Sequence, residues 1–489
     1  MTIDDIEATY LSSWSPAERR RRGVTFTPQW IVDLMIGLAR LPNDSDFTVV
    51  DAGAGAGKFT IASARAFPGA RVLAFETDPT LASALQKLVR RSGFGGRVSV
   101  VKQDFLVARL PTAGRRLFIG NPPYVRHHSL GQHRKAWLVQ AGKSLGTTFS
   151  GLAGLHVYFL LRCLVEARAG DRFVMVLPSE WLETRYGAEL KGALLARASS
   201  ITLHVFPPGV QVFEGTMTTS IVLDVVCGTG DCRVLAGLID PSRKSVVRQP
   251  VTAAMPNYAA ERANWLHLAW NATGCERNIV HEAPGTVPLG DLFRIHRGQV
   301  TGMNSVWIAN RETEALIPRR FQYPCITDGT EIFTSESGSL DSDTVLRRVI
   351  DLPEDLSDLE PTERPLVNRF LDYAKRAGAA DTYIAKHRKP WWKVGLREAP
   401  PIVMSYMARH APKFALNRCS ARLLNIAHGL YPTAALTDMQ LEAMVSWLNT
   451  SLSSRVGRTY AGGLVKIEPS DAMRIRVPDP FAAEARLAA

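Results

Sequence analysis

The sequence has no uninterrupted apolar run near the roughly 20 residues that a membrane-spanning helix requires. Its first residues (Met1-Thr2-Ile3-Asp4-Asp5) are acidic and lack the basic start and the apolar stretch of a secretory signal. The six cysteines are scattered and include no C-x-x-C pair, which argues against a zinc ribbon or a disulfide framework. We therefore expect a protein of the reducing cytoplasm, with no membrane segment.

The chain is too long, at 489 residues, for one ordinary domain, and we expect two or three folded units. Hydrophobic residues make up 46% and charged residues 21%, which is typical of a folded globular protein and not of a disordered chain. Lys and Arg together number 58 against 46 Asp and Glu, a formal net charge of +12. Such an excess indicates a polyanionic partner without establishing one.

The residue pattern of the sequence divides the chain into two parts. From Phe47 to about Val226, short β-branched runs alternate with helix-like stretches of about ten residues. This alternation predicts an α/β fold, a doubly wound and mostly parallel sheet with helices on both faces. After about Gly228, Pro, Arg and aromatic residues become frequent and strands become short and irregular. We place a first domain at residues 1–240 and a second, mixed α/β domain at residues 241–489.

A glycine-rich turn follows the first predicted strand and begins a helix. Residues 51–58 read D-A-G-A-G-A-G-K. Glycines let the backbone turn tightly and approach a ligand, and the helix N-terminus offers free N–H groups. A phosphate loop would need Gly five residues before Gly57 and Ser or Thr after the lysine, but the chain has Ala52 and Phe59 there. The turn is therefore a ligand loop of another kind.

Two acids follow the next two predicted strands. Glu76 ends the second strand, where a carboxylate can accept both hydroxyl hydrogens of a ribose. Asp104 follows the third strand and precedes Phe105, a pair that could bind an adenine amino group and cover its ring. Alternatively, both acids are polar strand ends that face solvent. Together with the glycine turn they favour a bound adenosine group, either of NAD or of S-adenosylmethionine.

Residues 119–124 read I-G-N-P-P-Y and end the fourth predicted strand. Two prolines fix φ and remove two N–H donors, so the loop is stiff. Asn121 supplies an amide oxygen and Pro122 a carbonyl. Two acceptors without a base suit the exocyclic amine of adenine, whose lone pair is delocalised into the ring, and Tyr124 can stack on that ring. The alternative is a proline-rich turn capped by Asn.

With these residues the sequence resembles the gamma-class DNA adenine-N6 methyltransferases of restriction–modification type. An F-T-P segment at residues 26–28, the glycine turn, N-P-P-Y and a long C-terminal region occur in the family's order. Residues 173–182 resemble the strand and turn after the catalytic loop, and Val212-Phe213 before residues 218–222 resemble an element that packs on the target base. One departure is the turn of Ala and Gly only, where the family often carries Pro after the acid. The likeness is strong from about Thr25 to Val226 and weaker beyond.

The resemblance implies a fold, a reaction and a set of residues. It implies a seven-stranded class I methyltransferase sheet, a C-terminal DNA target-recognition domain, S-adenosylmethionine as cofactor and an adenine flipped out of double-stranded DNA. We also expect a monomer, with a cognate restriction endonuclease as a functional and not necessarily physical partner. No metal ion is expected, because the sulfonium of the cofactor departs as a neutral thioether. The implied catalytic residues are Asn121, Pro122, Pro123 and Tyr124; the implied base-stacking residues are Tyr124 and Phe213; the implied cofactor-binding residues are Thr27, Pro28, Asp51, Gly53, Gly55, Glu76, Asp104, Phe105 and Asn121.

A basic segment lies in the C-terminal part of the chain. Residues 385–393 read A-K-H-R-K-P-W-W-K, which interleaves positive charge with aromatic rings. Such a segment suits contacts to DNA phosphates, and the implied DNA-binding residues are Lys386, Arg388, Lys389 and Lys393. A solvated basic loop with packed tryptophans is the alternative. The arginine run at residues 19–22 is a further possible contact to the DNA backbone.

Three rival functions remain open at this stage. Release-factor glutamine methyltransferases also carry N-P-P-Y, because an amide nitrogen poses the same chemical problem, but they are shorter. An RNA adenine methyltransferase is harder to separate, since charge does not distinguish RNA from DNA. A non-catalytic DNA-binding relative is the third, although all four residues of N-P-P-Y are present.

Overall fold

The structure is a computed structural model that describes residues 2–15, 18–19, 22–39, 47–125, 127–149, 151, 153–183, 187–208, 210–213, 219–252, 264–275, 285–333, 338–408, 411–452, 457–459 and 464–481. The chain divides into two compact units, Met1–Asn278 and Ile279–Ala489. Among the described residues, no helix is long and apolar enough to span a membrane.

The first unit is built on one sheet whose described strands number nine. In order across the sheet they run β3-β2-β1-β4-β5-β7-β6-β8-β9. Their bounds are β1 Phe47–Ala52, β2 Arg71–Phe75, β3 Val98–Val101, β4 Arg115–Gly120, β5 Arg172–Pro178, β6 Ala198–Val205, β7 Ser220–Cys227, β8 Arg233–Asp240 and β9 Ser245–Thr252. Neighbours from β3 to β5 pair in parallel, whereas β7 is antiparallel to both β5 and β6.

The predicted count of seven strands is wrong for this sheet. β8 pairs in parallel with β6, and β9 pairs antiparallel with β8, which extends the sheet by two strands. No helix lies between β8 and β9. The alternation of strands and helices, on which the prediction rested, therefore does not extend to these last two strands. The predicted boundary at residue 240 therefore falls between two paired strands, and the first compact unit continues to Asn278.

Helices cover both faces of this sheet. They are α1 Ile3–Ser12, α2 Gln29–Ala39, α3 Lys58–Ala66, α4 Pro79–Arg91, α5 Gln132–Ser144, α6 Leu155–Glu166, α7 Gly187–Arg197 and α8 Trp265–Ala272. Alternate strand residues contribute to two separate cores: Val50 and Phe118 pack in one, and Val49 and Leu117 in the other. Since successive side chains of a strand point to opposite faces, the continuous apolar run of β1 is buried on both sides.

The second unit is mixed α/β with short elements. Its strands are β10 Thr286–Pro288, β11 Phe293–Arg297, β12 Gln322–Ile326, β13 Ser339–Leu340, β14 Arg347–Ile350, β15 Ile402–Ser405, β16 Met407–Ala408, β17 Phe414–Asn417, β18 Arg422–Leu423, β19 Ala427–Pro432, β20 Arg458–Thr459, β21 Val465–Lys466 and β22 Arg476–Pro478. Its helices are α9 Leu289–Leu292, α10 Asn304–Trp307, α11 Arg311–Glu314, α12 Thr330–Phe333, α13 Arg364–Arg376, α14 Tyr383–Lys386, α15 Asp438–Ser451 and α16 Pro469–Ala472. The largest described sheet has the order β11-β19-β15-β17-β13.

Candidate active site

A cavity of about 420 Å³ lies at the carboxyl ends of β1 to β4. It opens where the strand order reverses between β1 and β4, the position at which doubly wound sheets bind their ligands. The volume is within the range of small-molecule and cofactor sites. Eight residues predicted from the sequence line this cavity: Thr27, Gly53, Gly55, Glu76, Asp104, Phe105, Asn121 and Pro123.

The glycine turn forms one wall. The N–H groups of Gly53 and Ala54 both donate to the Phe75 carbonyl, at 3.0 and 2.8 Å, which ties the turn to the end of β2. Gly57 has φ +95°, and a Cβ atom there would lie 2.2 Å from Leu85 Cδ1. Only glycine combines this left-handed backbone with so close an approach of α4.

Glu76 is held by the backbone on both sides of it. Its Oε2 accepts from the N–H of Gly55 at 2.8 Å, and its Oε1 accepts from the N–H of Asp78 at 2.8 Å. Burial raises the pKa of Glu76, and the backbone donors oppose this rise. Because each carboxylate oxygen can accept a second hydrogen bond, the fixed carboxylate can still receive two ligand hydroxyls.

Asp104 and Phe105 line the cavity beyond β3. Phe105 is only 1% exposed, and its ring centroid lies 5.3 Å from that of Phe159. Asp104 accepts from the N–H of Leu106 at 3.0 Å and pairs with Arg134 at 3.2 Å. Arg134 also lines the cavity, so Asp104 is a hydrogen-bonded residue of the cavity wall and not a polar strand end that simply faces solvent.

Asn121 presents a fixed acceptor. Its Nδ2 donates to the Thr25 carbonyl and to Thr27 Oγ1, both at 3.1 Å. Its Oδ1 is buried and has no hydrogen-bond partner among the described residues. A carbonyl can only accept, so the amide nitrogen must face Thr25 and the amide oxygen is turned away from it. The residue is therefore arranged to accept a hydrogen bond from something the cavity holds.

Tyr124 lies between two other rings. Its ring centroid is 6.2 Å from Phe213 and 6.0 Å from His156, both edge-to-face. Phe213 is 2% exposed. The Tyr124 hydroxyl donates weakly to the Val176 carbonyl at 3.4 Å, and burial raises its pKa, so it stays protonated. Burial also lowers the pKa of His156 to about 4, which leaves this ring neutral at pH 7.

Of the predicted catalytic, base-stacking and cofactor-binding residues, five lie outside the cavity wall: Pro28, Asp51, Pro122, Tyr124 and Phe213. Pro28 accepts from the N–H groups of Ile31 and Val32 and so begins α2. Asp51 is buried beneath the glycine turn, where Thr60 Oγ1 donates to its Oδ2 at 2.6 Å. Burial raises the pKa of Asp51 to about 7. Pro122 is buried.

The sequence interpretation missed the wall contributed by α1 and its neighbours. Lys58 Nζ donates to Glu7 Oε2 at 2.8 Å and to the Thr27 carbonyl at 3.1 Å. The Tyr10 hydroxyl donates to Asp78 at 2.9 Å. All five residues line the cavity, and Thr27 is the one among them that was predicted as a site residue. The acid–proline pair that caps α4 was visible in the sequence, but its partner Tyr10 is 68 positions away and carries no motif.

In the second unit, the basic segment at residues 385–393 contains an arginine bound to the backbone and lysines that are more exposed. Arg388 donates to the carbonyls of Val300 and Thr301, so it is bound to its own chain. Lys386 and Lys389 are exposed, and Lys393 is half-buried.

The two tryptophans of this segment pack internally. Trp391 lies 6.2 Å from Trp307, and Trp392 Nε1 donates to the Pro353 carbonyl at 3.0 Å.

The N-terminal arginine run is only partly described. Arg22 lies over the Trp14 ring at 3.6 Å and pairs with Asp78 at 3.3 Å, in the first unit. Arg20, Arg21 and Thr218 lie outside the described residues. Within the described part of the chain, no group of three or more His, Cys, Asp or Glu side chains is placed to hold a metal ion.

Two family models match parts of this chain. Residues 116–213 match the family model "Eco57I restriction-modification methylase", and residues 276–488 match "Type II methyltransferase M.Eco57I, C-terminal domain". The chain is 40% identical over 460 residues to the type II methyltransferase M.XamI of Xanthomonas campestris pv. amaranthicola, covering 94% of this chain and 85% of that protein. It is 22% identical over 483 residues to M.AccI of Acinetobacter calcoaceticus, covering 96% and 87%.

The fold and the cavity define a doubly wound α/β unit with a ligand cavity at the switch point of its sheet, followed by a mixed α/β C-terminal unit. The chain belongs to the family of type II restriction–modification methyltransferases. Among solved structures, the DrdV–DNA complex resembles it with a TM-score of 0.53 at 13% identity, covering 89% of this chain. This chain spans 52% of that one, and at 13% identity the likeness concerns the fold alone.

Proposed function

We propose that this protein transfers a methyl group from S-adenosylmethionine to the N6 amine of a flipped-out adenine in double-stranded DNA. The observation that carries the proposal is the Asn121 amide, whose nitrogen is bound by Thr25 and Thr27 and whose buried oxygen has no partner among the described residues. Buried acceptors are nearly always satisfied, so a free one at a cavity indicates a ligand that donates.

The cavity residues fit an adenosine-containing cofactor. Glu76 would accept from the ribose hydroxyls, since two backbone donors already hold its carboxylate. Asp104 would accept from the adenine amine, and Gly53 and Gly55 let the backbone approach the ligand closely. When bound, S-adenosylmethionine supplies an electrophilic methyl group and a neutral thioether leaving group.

Asn121 and Pro122 would hold the target amine. The Asn121 Oδ1 and the Pro122 carbonyl each accept one hydrogen of the NH2 group, which favours localisation of the nitrogen lone pair. The rigidity of the two prolines fixes both acceptors before the base arrives. The protein needs no general base here, because the proton can leave to water after the new bond has formed.

Tyr124 would replace the stacking that the adenine loses. A base within a duplex is out of reach, and its extrusion costs a few kcal/mol. Stacking on an aromatic side chain returns about 1–3 kcal/mol per base. Phe213 packs against Tyr124 edge-to-face and fixes the ring plane. A direct contact of Phe213 with the base stays a prediction.

The second unit would recognise the DNA. It matches the C-terminal domain of M.Eco57I, and its exposed Lys386 and Lys389 suit phosphate contacts. The net charge of +12 favours such a polyanion. The methyl mark would protect DNA from a cognate endonuclease, and the protein would act as a monomer.

The test is an incubation of the purified full chain with methyl-labelled S-adenosylmethionine and, separately, duplex DNA, RNA and total protein. We expect label in DNA alone, and we expect Asn121→Ala to abolish transfer while it still binds the cofactor. Asn310→Ala is the matched control, since Asn310 caps α11 in the second unit and should leave the activity unchanged.

Two results would contradict the proposal. Label confined to RNA or to protein would assign the site to one of the rival acceptors. Full activity in Asn121→Ala would remove the role of the amide.

A further inference from the structure

The direction of the Asn121 amide is set from outside the N-P-P-Y loop. Its two N–H hydrogens go to the Thr25 carbonyl and to Thr27 Oγ1, each at 3.1 Å. These acceptors lie 96 and 94 positions from Asn121, directly before α2. We infer that Thr27 is a positioning residue whose hydroxyl holds the Asn121 amide oxygen toward the target amine. This inference rests on the proposed function and deepens it.

Thr27 is itself held firmly. It is 5% exposed, and its β-branched side chain has few rotamers, so the hydroxyl has a fixed location. Its carbonyl accepts from Lys58 Nζ at 3.1 Å, and the same ammonium pairs with Glu7 at 2.8 Å. The support of Asn121 thus reaches α1 and the start of α3.

The Thr25 carbonyl alone cannot fix the orientation of the Asn121 amide. Removal of Thr27 Oγ1 leaves one buried N–H of the amide unpaired, and an unpaired buried donor is costly. The amide relieves that cost by rotating, which moves Oδ1 away from its acceptor position. A displacement of about 1 Å at a reacting group can lower a rate by about 100-fold.

A role in positioning differs measurably from a role in binding the cofactor, which the family resemblance implies for Thr27. A positioning hydroxyl acts on kcat, because it orients a group that works after both ligands are bound. A cofactor contact acts on the cofactor Kd and on its KM.

The experiment compares Thr27→Val, which is isosteric and lacks the acceptor, with Thr27→Ser, which retains it. We expect Thr27→Val to lower kcat on duplex DNA by about 10- to 100-fold, with the cofactor Kd from calorimetry changed by less than about twofold. Thr27→Ser restores kcat to within about threefold of the wild type. Thr273→Val is the matched control, because Thr273 is also buried in the first unit and donates only within α8.

The inference is overturned if Thr27→Val keeps the wild-type kcat, or if its defect lies in the cofactor Kd and not in kcat. Should Thr27→Val fail to fold, Thr27→Ala takes its place under the same criteria, with the serine variant as the rescue. Failure of the proposed function looks different: the wild type then places no methyl group on DNA adenine. Failure of this inference alone leaves an active wild type, an inactive Asn121→Ala and an active Thr27→Val.

Discussion

At the scale of the residue, the Asn121 amide has its nitrogen hydrogen-bonded, whereas its oxygen has no partner among the residues that the structure describes. An unpaired buried acceptor costs about 1–3 kcal/mol in the free protein. Such a cost is tolerated where a ligand later makes the missing bond. In the proposed reaction, the free protein would therefore hold the acceptor in place before the base binds.

Tyr124 offers a first prediction at this scale. Its ring is fixed by two edge-to-face contacts, whereas its hydroxyl makes only a weak hydrogen bond of 3.4 Å. Tyr124→Phe should therefore keep kcat/KM for DNA within about threefold. Tyr124→Ala should lower it by about 10- to 100-fold through the loss of a base stack of about 1–3 kcal/mol. Steady-state kinetics check both; equal losses in the two variants would assign the role to the hydroxyl.

Asp51 offers a second prediction, on pH and stability. Burial raises its pKa from an ordinary 3.8 to about 7 in the folded protein. Between these values the unfolded chain loses the proton and the folded protein keeps it, so the contribution of Asp51 to stability falls as pH rises and is constant above about 7. The Asp51→Asn variant has no titrating group at this position and so lacks this pH-dependent contribution to stability. The stability of the variant relative to the wild type should therefore grow from pH 4 to 7.

Urea unfolding of both proteins across that pH range measures the difference. A constant difference would show that Asp51 titrates alike in the folded and unfolded states.

The residue chemistry of the site was largely predictable, because N-P-P-Y, the glycine turn and Glu76 carry local patterns. The contacts between distant segments that the structure adds to the site could not be predicted from local patterns. Thr27 was predicted only as a cofactor contact, and its bond to Asn121 joins residues 94 positions apart. Such pairings follow from the packing of distant segments, on which a local pattern has no bearing.

At the scale of the element, the glycine turn joins β1 to α3 and packs against α4. Gly57 has a left-handed backbone, and a Cβ there would overlap Leu85. Gly57→Ala should lower the free energy of unfolding by about 2 kcal/mol or more. Gly37, exposed within α2 with open space around it, is the control, and Gly37→Ala should be neutral or stabilising by up to about 1 kcal/mol.

Urea titrations with and without cofactor measure both variants. A Gly57→Ala protein as stable as the wild type would contradict the tight packing of α4 against the turn.

The side chains of the basic segment, residues 385–393, should have two separate roles. Arg388 is bound to two backbone carbonyls, so Arg388→Ala should mainly destabilise the second unit. Lys386→Ala and Lys389→Ala should leave stability unchanged and weaken DNA binding at low salt. Each lost phosphate contact reduces the slope of log K against log salt by about 0.9. Fluorescence anisotropy over a salt series measures this, and an unchanged slope in both lysine variants would move the DNA contact elsewhere.

Element patterns predicted the sheet through β7 and failed beyond it. β1 to β7 alternate with helices or carry strong β-branched runs, so they are visible in sequence. The β8–β9 hairpin has neither signal, and its strands are recognised only by the pairing of β8 to β6 and of β9 to β8.

At the scale of the whole molecule, the family match at residues 276–488 corresponds closely to the second compact unit, and the match at residues 116–213 lies within the first. The second match begins at residue 276, close to the division after Asn278. The first unit carries the cavity and the N-P-P-Y loop. The second unit is built from short elements with little periodicity, which is why its architecture could not be predicted beyond its mixed class.

The measurement that tests the account most directly is mass spectrometry of nucleosides from duplex DNA treated with the wild-type protein and S-adenosylmethionine, beside Asn121→Ala. We predict N6-methyladenine as the product of the wild type and no methylated base from the variant. A methylated cytosine in place of methyladenine, or methyladenine formed equally by Asn121→Ala, would contradict the role given to the Asn121 amide oxygen.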